Sequence, residues 1–149
     1  MRAVRDAPAG GASPGERIRA TIDRHIRFID DNAAGYLALM RGGIGSDPEV
    51  HALVEELRWE GAERILRALG ATGPVPPVLR STMRGWVGYL DELIIDHLAH
   101  HDVPRWQLVE LAVAALATAL QTAESLAPGT GIDVETAAAA ARSPGPRPG

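Results

Sequence analysis

From Pro77 to His101 the chain reads PVLRSTMRGWVGYLDELIIDHLAHH, and its apolar residues Leu79, Met83, Trp86, Val87, Leu90, Leu93, Ile94 and Leu98 recur at steps of three and four. That spacing predicts one helix with a broad apolar face. At about 1.5 Å per residue such a helix spans roughly 36 Å, and its face is too wide for a single neighbour. Gly85 and Gly88 lower its helix propensity with no turn signal beside them, which predicts a close-packed neighbour there. The next helix, after Val103-Pro104, carries Leu108, Val109, Leu111, Val113, Leu116 and Leu120 interleaved with Ala112, Ala115 and Ala119. The two together predict a hairpin with core on one side and a second protein surface on the other.

The rest of the chain supplies further helices. Ser13-Pro14-Gly15-Glu16 is a capping box that opens a helix with Ile18, Ile22, Ile26 and Ile29 on one stripe. Asn32 is expected to cap a short second helix from Ala33 to Arg41, ended by Gly42-Gly43. Ser46-Asp47-Pro48-Glu49 starts a long helix that Gly70 stops, and GATGPVPP links it to the helix at Pro77. A short alanine helix is expected after Asp133, before the tail SPGPRPG.

Composition narrows the class. Of 149 residues, 46% are hydrophobic and only 4% aromatic, so Ala and Leu dominate the apolar content and favour helices. The fold class expected is all-α, a bundle of about five helices in a single domain. All 15 positive residues are arginine, scattered among 19 carboxylates for a net charge of −4, so these residues form no basic stripe for DNA. Without cysteine there is no disulfide, thiol nucleophile or thiolate metal site. No unbroken apolar run approaches the length of a membrane span, and the first residues lack the apolar centre of a signal peptide, so a cytoplasmic location without membrane contact is expected.

Three phrases carry a resemblance. YLALMRGGIGSDPEV at Tyr36 to Val50, RGWVGYLDELIIDHL at Arg84 to Leu98 and DVPRWQLVELAVAALATAL at Asp102 to Leu120 make the chain similar to the C-terminal half of TetR-type transcriptional regulators, above all actinobacterial ones. The resemblance implies an effector-sensing and homodimerising domain over residues 14–126, a linker or remnant of a connecting helix at 1–13, and a flexible tail with a possible short helix at 127–149. It further implies that the last two long helices pair with their twins in a four-helix dimer interface, here including Gly85, Gly88, Glu92, Ala112, Ala115 and Ala119. An apolar pocket for a small hydrophobic effector is implied in the preceding helices. The helix-turn-helix through which such a repressor meets DNA is expected to be absent from this chain. A stand-alone dimeric small-molecule-binding protein is the second reading, and a small helical metal-dependent enzyme the third.

Candidate site residues are weighed against ordinary packing. Phe28, Tyr36, Met40, Trp59, Met83, Trp86 and Tyr89 are the ligand-binding candidates, because aromatics are scarce here and these positions fall on the broken helices and the helix at Pro77, although large apolar side chains at helical spacing are usually core. His25 and Glu63 are candidates to orient a polar ligand atom. His97 and His101, at i and i+4, offer two metal ligands from one helix face, but a zinc site wants a third. The simpler reading is that histidines in a last helical turn complement the helix dipole, so neither a metal nor another cofactor is expected. Glu92 and Asp96 lack a third polar partner for acid–base work, no serine has a Ser-His-Asp setting, and the Glu-x-x-His pairs of di-iron bundles are missing. No catalytic set is expected.

Overall fold

Ser13 decides where the first helix begins. Its hydroxyl accepts a hydrogen bond from the Glu16 N–H at 3.1 Å, while the Glu16 carboxylate accepts one from the Ser13 N–H at 2.8 Å. This reciprocal cap leaves Pro14 at the first helical position, where its missing N–H costs nothing. The computed structural model describes residues 12–40 and 48–145. It contains α1 (Pro14–Asp31), α2 (Ala33–Ala38), α3 (Pro48–Ala68), α4 (Pro77–His100), α5 (Arg105–Leu126) and α6 (Val134–Arg142), with no strand among the described residues. The all-α expectation holds. The stop at Gly42-Gly43 and the Ser46-Asp47 start signal lie outside the described residues, as do residues 1–11 of the expected linker.

Local chemistry sets the other boundaries. Asn32 does not cap α2 with its side chain; its amide donates instead to the Phe28 carbonyl at 2.8 Å, so it closes α1. The break it makes remains the expected bend. Gly70, at φ 99°, ends α3: its N–H reaches the Arg67 carbonyl and the Ala71 N–H reaches Leu66, which satisfies two otherwise orphaned acceptors. A residue with a Cβ would be strained there.

Isoleucine spacing places α1 in the core. Ile18, Ile22, Ile26 and Ile29 are each at most 2% exposed, and burying such a side chain contributes about 2 kcal/mol. They meet Ile65, Leu66 and Leu69 of α3, Met83 and Ile94 of α4, and Leu116 and Leu120 of α5 in one cluster. Helix α5 is central, packing against α1, α4 and α6. By length and overall composition it is the one described helix apolar enough to cross a membrane. Its Leu108, Val109, Val113 and Leu116 are instead buried within the bundle.

The short helix anticipated after Asp133 is α6, and it belongs to the packed body. Asp133 caps it by accepting from the Thr136 N–H at 3.0 Å. Glu124 turns the chain back towards it by accepting from the N–H groups of Gly129 and Thr130 at 2.7 and 3.1 Å. Small residues then allow a close approach: a Cβ on Gly15 would lie 3.0 Å from the Ala140 Cβ. The Arg19 guanidinium finishes the junction, donating twice to Glu110 at 2.8 Å and to the Ala140 carbonyl at 2.6 Å. Packing therefore continues to Ala140, past the Leu126 boundary expected from the sequence.

Candidate functional site

Helix α4 has two working flanks, and an acid marks the first. Asp91 sits beside Leu90 on the apolar arc and is only 7% exposed, so its carboxylate needs a partner within the chain. Arg58 of α3 supplies it at 2.7 Å and also bridges Glu55 at 2.9 Å; Arg84 of α4 reaches the other Glu55 oxygen at 2.9 Å. The Tyr36 hydroxyl donates to Asp91 at 3.4 Å, and the Met40 sulfur lies 3.3 Å from the Arg58 guanidinium. Glu55, Arg58, Arg84 and Asp91, with Trp59, Val87 and Gly88, border a cleft of about 100 Å³ between α3 and α4. Two arginines and two carboxylates balance there.

Burial and charge tune the cleft unevenly. Burial pushes the Asp91 carboxyl above its ordinary value, and the opposing pull of Arg58 and of the Tyr36 hydrogen bond does not cancel it. Burial, then the Asp91 charge, also raises Tyr36 well above the usual phenol range, so its hydroxyl stays a donor. Burial pushes Glu55 upward too, but hydrogen bonds from Arg84 and Arg58 outweigh it and leave the carboxyl below its ordinary value. Of the ion pairs, Arg58–Asp91 carries the most weight, since the Arg84 side chain is 58% exposed and water screens it.

The second flank is apolar. Where α4 runs beside α5, Val78, Gly85, Trp86 and Tyr89 face Ala115, Ala119 and Leu126 across an open groove of about 440 Å³. Tyr89 is 40% exposed and Leu126 75%, and nothing within the described residues covers them. A Cβ added at Gly85 would meet no atom within 4 Å. The close neighbour that this glycine predicts is therefore not among the described residues.

The seven ligand-binding candidates do not converge. Tyr36, Met40 and Trp59 gather at the charged cleft. Met83 is fully buried core. Trp86 stands between α4 and α5, donating its indole N–H to the Ala112 carbonyl at 2.9 Å. Tyr89 points to the groove, and Phe28 is 64% exposed on α1, off the face that carries its isoleucines. His25 does not line the cleft, but it lies near enough to Arg58 that burial and then the Arg58 charge lower its imidazole below the ordinary value; Glu63 borders a separate hollow with Ala71 and Val75.

The six residues expected at a dimer contact also divide. Gly85, Ala115 and Ala119 line the groove, and Glu92 is exposed on α4. Gly88 instead borders the α3 cleft, because three residues turn the helix about 300° and carry it to the other flank. Ala112 is wholly buried under Trp86 and presents nothing to a partner. Arg58, Glu55, Arg84 and Asp91 escaped sequence reasoning. One signal for them existed, an acid lying within the apolar arc of α4, which calls for a buried partner. A third cluster, at the end of α4, joins Asp30 of α1 to His97 at 3.0 Å, with the His101 ring beside it.

The geometry agrees with one comparison. The family described as Tetracyclin repressor-like, C-terminal domain, matches residues 14–119, from the first residue of α1 through most of α5. No curated protein and no solved structure matches the chain at a significant level. A match over most of the chain, on an all-α frame whose last two long helices leave an apolar groove, assigns it: the chain belongs to the TetR-like C-terminal domain family, whose members are regulatory.

Proposed function

We propose that this domain is the effector-sensing and homodimerising half of a TetR-like transcriptional repressor that works in the cytoplasm. The observation that carries the reading is the apolar groove between α4 and α5, which no described residue covers. A second copy, brought about a twofold axis, covers that groove with its own, and small residues at Gly85, Ala115 and Ala119 let the helices approach. DNA is contacted through a helix-turn-helix outside this domain. No enzymatic role is proposed, because the polar groups of the cleft are engaged with one another.

The effector reading rests on the other flank. The cleft beside Arg58 and Asp91 is smaller than the roughly 300 Å³ of a typical ligand pocket, so a small hydrophobic effector enters only if α3 and α4 part. Its apolar body would lie against Trp59 and Val87, and a polar group would replace part of the ion-pair network. Helix α3 packs on α4 much less extensively than α5 does, so this is the side that yields. An effector that prefers the parted arrangement shifts the population towards it, and through the dimer alters the separation of the two DNA readers.

Light scattering on the purified chain tests the dimer directly. The expected result is a dimer, and Ala119→Arg is expected to raise its dissociation constant by about 100-fold or more, since the substitution buries an unpaired charge. A parent chain that stays monomeric at high concentration, or an Ala119→Arg dimer as tight as the parent, refutes the interface.

A further inference from the structure

Two helices bring three metal-binding side chains together at the end of α4 furthest from Pro77. We propose that Asp30, His97 and His101 form a site for a divalent transition-metal ion of the zinc type, tying the last turn of α1 to the turn between α4 and α5. The proposal stands apart from the dimer and effector readings, and shares no residue with them.

Distance is the first support. Each residue offers one ligand atom, and these atoms all lie within 4.8 Å of one another. Ligands about 2.1 Å from a tetrahedral zinc stand roughly 3.4 Å apart. His97 Nε2 already lies 3.0 and 3.2 Å from the two Asp30 oxygens. The His101 ring centroid is 4.9 Å from that of His97, and His101 is exposed, so a side-chain rotation closes the remaining gap. Water completes the fourth position.

The state of His97 is the second. Its residue is only 8% exposed, and its Nδ1 is the one buried side-chain polar atom without a hydrogen-bond partner among the described residues. No neighbour at Nδ1 competes for the ring, so the contact with Asp30 alone sets its protonation. In the metal-free chain Nε2 carries the proton and donates to the Asp30 carboxylate at 3.0 Å; an entering cation would take the place of that proton between them, and the ring would then carry its proton on Nδ1. Backbone conformation is the third. His101 has φ 51° and is the one described non-glycine residue in the left-handed region, at a helix end where Gly or Asn is usual. Histidine is among the residues that tolerate this region, and here the turn leaves the His101 ring beside that of His97.

Donor chemistry selects the ion. Two imidazoles and one carboxylate favour Zn²⁺ or Co²⁺, whereas Mg²⁺ and Ca²⁺ take mostly oxygen ligands. Neighbouring His100 is not part of the set: its Nδ1 lies 3.3 Å from Asp96 on the outer face of α4.

The experiment strips the full chain with a chelator and titrates it with Co²⁺, a coloured stand-in for zinc. One equivalent is expected to bind with visible ligand-field absorption and to raise the melting temperature, while Mg²⁺ leaves both unchanged. His101→Gly removes a ligand while relieving the backbone, so it is expected to melt no lower than the metal-free parent yet bind Co²⁺ more than about 100-fold more weakly. Asp30→Asn is expected to lose affinity similarly, and His100→Ala to keep it. A parent that takes up no Co²⁺, a His101→Gly or Asp30→Asn chain that binds as the parent does, or a His100→Ala chain that loses binding overturns the proposal.

Discussion

Towards α3, helix α4 presents Asp91 and Arg84, whose charges are answered by Arg58 and Glu55; towards its groove with α5 it presents Val78, Gly85 and Tyr89, which nothing in the described chain covers. One helix therefore carries a self-satisfied polar flank and an unsatisfied apolar one. The difference shows what each flank is suited to. A buried charge network is specific: a group that loses its partner keeps its desolvation cost, so the network opens only for a molecule whose polar group takes that partner's place. An apolar groove built from small residues has no directional demand, and accepts any complementary surface that excludes water. Sensing is thus expected on the first flank and assembly on the second.

The largest expected effect breaks the polar flank. Arg58→Ala leaves the Asp91 carboxylate buried without its cation, and urea unfolding is expected to show a loss of about 3 kcal/mol with the oligomeric state unchanged. A chain as stable as the parent would mean that water, and not Arg58, satisfies Asp91.

A pH series sharpens the same flank. Asp91 titrates above its ordinary value in the fold, so its contribution to stability is present at low pH and is lost as pH rises through the raised value. Glu55 is lowered, so its contribution is present above the ordinary glutamate value and is lost as pH falls. The two carboxylates oppose each other on acidification. Asp91→Asn is therefore expected to lose stability more steeply than the parent between pH 6 and pH 4, by less than about 1.4 kcal/mol per pH unit, and Glu55→Gln less steeply. Unfolding curves across that range decide it, and parallel slopes in all three proteins would contradict the assignment.

The smallest effect compares the flanks directly. In the isolated chain neither Gly85 nor Gly88 has a neighbour that a Cβ would meet, so alanine at either should add about 0.5–1 kcal/mol through helix propensity. Only Gly85 faces the groove. Gly85→Ala is expected to weaken self-association measured by light scattering, while Gly88→Ala leaves it alone; equal behaviour of the two would place the twofold contact elsewhere.

Much of the architecture was legible because its causes are local. The Ser13 capping box, the Gly70 stop and the isoleucine stripe of α1 depend on residues within a turn or two, and all three stand where the sequence put them. Aromatic scarcity was a poorer guide. It brought Tyr36 and Trp59 to the cleft but equally chose Phe28, which is exposed; of the methionines added to the aromatics, Met40 meets Arg58 and Met83 is core. Side-chain size says that a residue can be buried, and not which helix it will meet.

Periodicity and capping chemistry determined on their own that this chain is a set of helices with apolar faces, and that α4 and α5 carry more of that face than one neighbour covers. Tertiary structure alone decided the polar pairings. Tyr36 meets Asp91 across 55 residues, Asp30 meets His97 across 67, and Arg19 meets the Ala140 carbonyl across 121. Sequence fixes the direction in which a side chain leaves its own helix axis; which charge waits opposite depends on how separate helices come together, and only packing specifies that.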